Sequence, residues 1–81
     1  MINNMENKLR KIIDENIELT VPIEEIKLDD NLLNVGMDSL NTIRVIINIE
    51  EQFNLEFSDD DLIVDNFRTI RKLMDYLIER I

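Results

Sequence analysis

The residues best placed to do chemistry sit near the middle of the chain, in Gly36-Met37-Asp38-Ser39-Leu40. Ser39 offers a hydroxyl and Asp38 a carboxylate. A serine nucleophile that works on its own account needs a base beside it, and the usual choice is histidine. This sequence of 81 residues has no histidine and no cysteine. It therefore lacks the ordinary base, the thiol nucleophile and any cysteine-based metal site or disulfide. Carboxylates remain, but a chain this short rarely builds a substrate cleft. Binding or carrying is expected ahead of catalysis, and no catalytic residue is assigned.

The acidic runs raise metal binding as a second chemistry. Asp29, Asp30 and Asn31 look like calcium ligands, but the D-x-[DN]-x-[DN]-G pattern fails because Leu33 stands where the next oxygen ligand is required. Ser58-Asp59-Asp60-Asp61 carries three consecutive aspartates. An S-x-x-[DE] string reads more simply as a capping box, with the acids favoured by the helix dipole. No metal site is expected.

Charge narrows the partners. The net charge is −9, from 9 basic and 18 acidic residues. Between Asp14 and Asp65 only Lys27 and Arg44 are basic, and both flanks are slightly positive. Such a field repels nucleic acid and anionic membrane and attracts basic protein surfaces. The N-terminus lacks the apolar run of a signal peptide, and no segment approaches a membrane span. The cytoplasm is the expected compartment.

Helical elements must position these residues. One Gly and one Pro are too few for a turn-dense β fold. Ile2, Met5, Leu9, Ile12, Ile13 and Ile17 recur at helical spacing, which predicts an amphipathic helix over 3–17 capped by Asn3 or Asn4. A long connection over 18–38 follows, with Pro22 opening a short turn. Its Ile26, Leu28, Leu32, Leu33 and Val35 are too apolar for a free loop and should fold back on the core. Gly36 should take a backbone conformation other residues avoid, and Asp38 or Ser39 should cap the next helix.

That helix, over 39–54, carries Leu40, Ile43, Val45, Ile46, Ile47, Ile49 and Phe53 around more than half its circumference. It is either central or exposes part of its apolar arc, with Leu40, Ile43 and Ile47 the expected exposed strip. An extended break at 54–57 should turn Leu55 and Phe57 inward. A short helix over 59–64 with Leu62 and Ile63 comes next. A last helix over 69–80 presents Ile70, Leu73, Met74, Leu77 and Ile78, with Ile81 continuing the apolar face. The fold class is all-α: a four-helix bundle of three main helices and a short third one, in a single domain spanning 1–81.

Leu32-Leu33-Asn34-Val35-Gly36-Met37-Asp38-Ser39-Leu40, then Ile49-Glu50-Glu51-Gln52-Phe53, then Phe57-Ser58 and an acidic segment, resembles the acyl and peptidyl carrier proteins. The resemblance covers essentially the whole chain and is tightest over 28–62. It implies a carrier that is not an enzyme. It implies that Ser39 bears a covalent 4′-phosphopantetheine arm taken from coenzyme A, and that the arm's thiol holds acyl or aminoacyl cargo as a thioester. A serine at a helix start is exposed, and the helix dipole there suits a phosphate.

The resemblance also implies partners: a phosphopantetheinyl transferase, a loading enzyme (adenylation enzyme or acyltransferase) and downstream synthase enzymes, with the carrier itself a monomer. Their contacts map to Met37, Asp38, Leu40, Ile43, Arg44, Ile47, Glu50, Glu51 and Leu62. Asn41 and Arg44 stand where the fatty-acid type has acids, and the Asn66-Phe67-Arg68-Thr69-Ile70 run looks closer to carriers of nonribosomal peptide or polyketide pathways. A specialised pathway is therefore expected ahead of fatty-acid synthesis. The reading from another class is a small acidic helical adaptor with no prosthetic group.

Overall fold

The computed structural model describes residues 2–58 and 67–80. Three α-helices organise them: α1 (Ile2–Asn16), α2 (Ser39–Phe53) and α3 (Ile70–Arg80). Two short 3₁₀ turns, Ile23–Glu25 and Leu32–Val35, punctuate the long connection between α1 and α2. No strand occurs among the described residues, so the all-α class stands. The expected short helix over 59–64, its capping aspartates and Leu62 lie outside the described residues. Among the described residues no helix is long and apolar enough to cross a membrane.

The core forms where the three apolar faces meet. Met5, Leu9, Ile12 and Ile13 of α1 pack with Val45 and Ile49 of α2 and with Ile70, Leu73, Met74 and Leu77 of α3. This is the 3.6-residue pattern made physical, because residues three and four apart share one helix face. Helix α1 starts at Ile2, so Asn3 and Asn4 lie inside its first turn rather than capping it. Helix α3 starts one residue later than the spacing predicts, and the Thr69 hydroxyl accepts the Lys72 N–H at 3.1 Å in the manner of an N-cap.

The long connection is fastened at several points. Ile26, Leu32 and Met37 are buried. Arg10 of α1 donates through Nη1 to the Ile23 and Ile26 carbonyls at 2.9 and 2.7 Å. On the other side, the Leu32 N–H donates to the Arg68 carbonyl at 2.8 Å and the Arg71 N–H to the Leu28 carbonyl at 3.0 Å. These bonds satisfy backbone groups that burial would otherwise leave unpaired. The connection is a third structural layer tying α1 to α3.

Leu33 departs from expectation. It is exposed, while its neighbour Leu32 is fully buried. A 3₁₀ turn repeats every three residues, so Leu32 and Val35 share the inner side and Leu33 faces out.

The break after α2 also has a definite shape. Asn54 adopts the left-handed conformation at φ 54° and ends the helix. Phe57 is buried against Phe67, edge to face, with ring centroids 5.4 Å apart. Leu55 is half-buried.

Candidate functional site

The site is built by the residues that lead from the connection into α2. Asn31 caps the 3₁₀ turn by accepting the Leu33 N–H at 3.0 Å. Gly36 ends that turn at φ 122°. A side chain there is excluded twice: by the backbone angle, and because a Cβ would run into the Glu18 carbonyl oxygen. The turn sends Met37 into the core, where its N–H donates to the Leu32 carbonyl at 3.0 Å. The chain then emerges extended at Asp38 and enters the helix at Ser39.

Asp38 is the N-cap. Its Oδ1 accepts the N–H groups of Leu40 and Asn41 at 3.0 and 2.9 Å. Asn41 returns the bond, its Oδ1 accepting the Asp38 N–H at 2.6 Å. That is a reciprocal capping box. Asn41 also donates through Nδ2 to the Gly36 carbonyl at 3.1 Å. The Thr42 hydroxyl donates to the Asp38 carbonyl at 2.6 Å, which accounts for the one buried polar side chain among the described residues.

Ser39 itself is exposed, and its side chain makes no hydrogen bond among the described residues. Its surroundings are tied together by these hydrogen bonds while its hydroxyl stays open to solvent. An exposed hydroxyl with no competing partner, on a braced helix start, fits the covalent attachment of an anionic group. Asp38 already occupies the Leu40 and Asn41 amides, so a phosphate on Ser39 would not be cradled by them. It would be fixed by its ester bond and stand in water.

Beyond Ser39, Leu40, Ile43 and Ile47 form the expected exposed strip, with 73%, 54% and 48% of their surface accessible. They lie across the helix from Val45 and Ile49, which are fully buried. Arg44 and Glu51 are exposed beside the strip. A shallow hollow of about 350 Å³ at the start of α2 is lined by Glu18, Asp38, Asn41 and Arg44, among others.

Two residues of the expected partner surface behave differently. Met37 is only 5% accessible, so it supports the site from below and cannot contact a partner in this conformation. Glu50 is half-buried, and its Oε2 accepts the Phe57 N–H at 3.0 Å, folding the chain back after the helix. Leu62 lies outside the described residues. Sequence reasoning misses the contribution of Asn41, which registers there only as a neutral residue in place of an acid. The D-x-x-N spacing from Asp38 is the signal that could have found it.

Comparison with known proteins settles the class. Residues 7–77 match the family described as "Phosphopantetheine attachment site". The chain belongs to this family of carrier proteins. An acyl carrier protein of Buchnera aphidicola subsp. Schizaphis graminum is 35% identical over 77 residues, covering 94% of this chain and 92% of that protein.

Among solved structures, one match lies in the complex of an engineered Bradyrhizobium japonicum glycine:[carrier protein] ligase with carrier protein from Agrobacterium tumefaciens and ATP. The matched chain is 27% identical with a TM-score of 0.85, over 95% of this chain and 99% of that one. Such coverage by 81 residues identifies the matched chain as the carrier. A holo acyl carrier protein from Nitrosomonas europaea, solved by solution NMR, is 25% identical with a TM-score of 0.76, over 95% and 93% of the two chains. The protein is thus a carrier and not a catalyst, and its prosthetic group is 4′-phosphopantetheine.

Proposed function

We propose that Ser39 is the residue that receives the arm, and that residues 1–81 form a single carrier domain working in the cytoplasm. It holds acyl or aminoacyl groups as thioesters for nonribosomal peptide or polyketide-type biosynthesis. The observation that carries the reading is the Ser39 hydroxyl: exposed, unbonded among the described residues, and mounted on the braced D-S-L turn.

The attachment chemistry asks little of this chain. The Ser39 Oγ attacks the phosphorus of coenzyme A that bears the pantetheine. An Oγ–P bond forms, the P–O bond of the pyrophosphate breaks, and adenosine 3′,5′-bisphosphate leaves. The proton of Oγ passes to a base on the transferase, which also holds Mg²⁺. Once attached, the arm supplies a terminal thiol. Asp38 and Asn41 hold the serine backbone still, Gly36 and Met37 anchor the turn beneath it, and Leu40, Ile43 and Ile47 offer partners an apolar surface flanked by Arg44 and Glu51.

The aminoacyl option draws support from the Agrobacterium tumefaciens carrier, which is named in complex with a ligase for glycine and carrier protein. Curated relatives named acyl carrier protein favour the alternative, an acyl carrier of fatty-acid synthesis.

Incubation with coenzyme A, Mg²⁺ and a broad-specificity phosphopantetheinyl transferase should add the mass of one phosphopantetheine group, and Ser39→Ala should abolish the gain. No gain in the wild-type chain, or a gain that survives Ser39→Ala, overturns the assignment. Offering the holo protein an amino-acid adenylating ligase and, separately, an acyltransferase then separates the two cargo classes by intact mass.

A further inference from the structure

We infer that Asn41 is a positioning residue for arm attachment, and that its amide, by reaching back past Ser39 to bond the Asp38 N–H and the Gly36 carbonyl, sets the direction in which the serine hydroxyl faces the incoming phosphate. The inference rests on Ser39 being the attachment residue.

Ser39 does nothing to orient itself, since its side chain has no hydrogen-bonding partner among the described residues. The direction of Oγ follows from the backbone of residues 38–40. The Asp38 carboxylate holds that backbone from the helix side, through the amides of Leu40 and Asn41. This leaves two groups on the loop side to be answered: the N–H of Asp38 and the carbonyl of Gly36. Asn41 answers both, Oδ1 accepting the first at 2.6 Å and Nδ2 donating to the second at 3.1 Å. One side chain in the first turn of α2 thereby ties the preceding loop to the helix, with Ser39 inside the span that the two bonds close.

The chemistry of the side chain is specific. A carboxamide is a planar group that both accepts and donates, and both capacities are used here. An aspartate could keep the bond from the Asp38 N–H, but its second oxygen would face the Gly36 carbonyl with no proton to share. It would also place a second negative charge beside Asp38, next to the attached phosphate. An alanine would keep neither bond. The polar atoms of Asn41 point at its own backbone neighbours and the residue is half-buried, so it is not placed to grip a partner. Its loss should act on the chemical step rather than on docking. Misplacing a reacting atom by about 1 Å can slow a reaction about a hundredfold, so a small rotation of the turn is enough to register.

The test measures arm transfer from coenzyme A by a broad-specificity phosphopantetheinyl transferase, with single-turnover rates and carrier KM for wild type, Asn41→Ala, Asn41→Asp and Leu40→Ala. Asn41→Ala should lower the single-turnover rate about tenfold with KM within about twofold of wild type. Asn41→Asp should fall between wild type and Asn41→Ala. Leu40→Ala, on the exposed strip, should do the opposite and raise KM at an unchanged rate.

A single-turnover rate for Asn41→Ala within about twofold of wild type, or a loss seen only in KM, overturns the inference. Thermal melts establish that each variant is folded. Should Asn41→Ala not fold, a wild-type rate in Asn41→Asp overturns the inference equally. The Ser39→Ala control keeps the two propositions apart. Arm transfer that survives in Ser39→Ala removes the attachment reading, whereas wild-type rates in the Asn41 variants remove only the role given to Asn41.

Discussion

Helices α1 and α2 are each fifteen residues long, yet they divide their apolar side chains differently. Met5, Leu9, Ile12 and Ile13 of α1 are all buried. Helix α2 buries Val45 and Ile49, half-buries Ile46 and Phe53, and leaves Leu40, Ile43 and Ile47 largely in water. Burying a large aliphatic side chain contributes about 1.5–3 kcal/mol, so α2 forgoes a substantial stabilisation that these four residues of α1 provide. In an isolated small domain nothing is gained by that arrangement. It makes sense if the exposed strip is covered during docking, beside the residue proposed to bear the arm. Helix α1 is scaffold and α2 is both scaffold and platform.

The sharpest way to break this division is to truncate one leucine on each helix. Leu9→Ala removes a side chain with no accessible surface and should cost about 2–5 kcal/mol. That is a large share of the roughly 5–15 kcal/mol that holds a small domain together. Leu40→Ala, at an exposed position, should change stability by no more than about 0.5 kcal/mol. Urea denaturation of both variants checks the pair. Equal losses would mean that α2 is packed on both sides and offers no platform.

The next effect in size concerns the turn that delivers the chain to α2. Gly36→Ala must either keep φ 122° with a side chain or move the Glu18 backbone away. Strain of this kind costs on the order of 1–3 kcal/mol. The variant should show a lower denaturation midpoint. Amide chemical shifts should move at Glu18 and from Met37 to Asn41, while those of α3 stay in place. An unchanged midpoint would show that the turn relaxes freely and does not brace Ser39.

Most of the helical frame is legible in the residues themselves. The apolar spacing of α1 and α3 places both helices, although Ile78, expected on the apolar face of α3, is exposed, and the arc of α2 is too wide for burial on one side alone, with Leu40, Ile43 and Ile47 the strip expected outside. Ser39 is legible through the string around it rather than through its own chemistry. What escapes the sequence depends on local backbone geometry. Met37 counts as a partner contact through the family resemblance, but the turn at Gly36, with its positive φ, leads it into the core. Leu33 reads as core because it is apolar, but the three-residue period of its turn puts it outside. Asn41 reads as a missing acid, and only the choice of Asp38 over Ser39 as the cap reveals it as the other half of a capping box. The Glu50 bond to the Phe57 amide joins residues seven apart across a helix end, which no helical spacing announces.

Arg44 brings the comparison down to a single charge. It is one of two basic residues in the acidic stretch from Asp14 to Asp65, and it sits exposed on the platform helix. Its neighbours one turn away are Leu40, Asn41, Ile47 and Asn48, so no acid is spaced to pair with it along the helix. Among the described residues its side chain makes no ion pair. Since no described residue pairs with this cation, Arg44→Glu should leave the denaturation midpoint nearly unchanged. Docking should respond, because rim charges act on encounter and selectivity more than on packing. If the partner's facing surface is less basic than one suited to a wholly acidic helix, Arg44→Glu should raise the KM of the loading enzyme for the holo carrier by a factor of about five, or about 1 kcal/mol. The increase should shrink as salt rises from about 0.05 to 0.5 M and screening sets in. A KM that stays level or falls would mean that the partner meets α2 with basic groups. Arg44 would then weaken docking, and the platform would work through Leu40, Ile43 and Ile47 with acids such as Glu51 as the helpful charges.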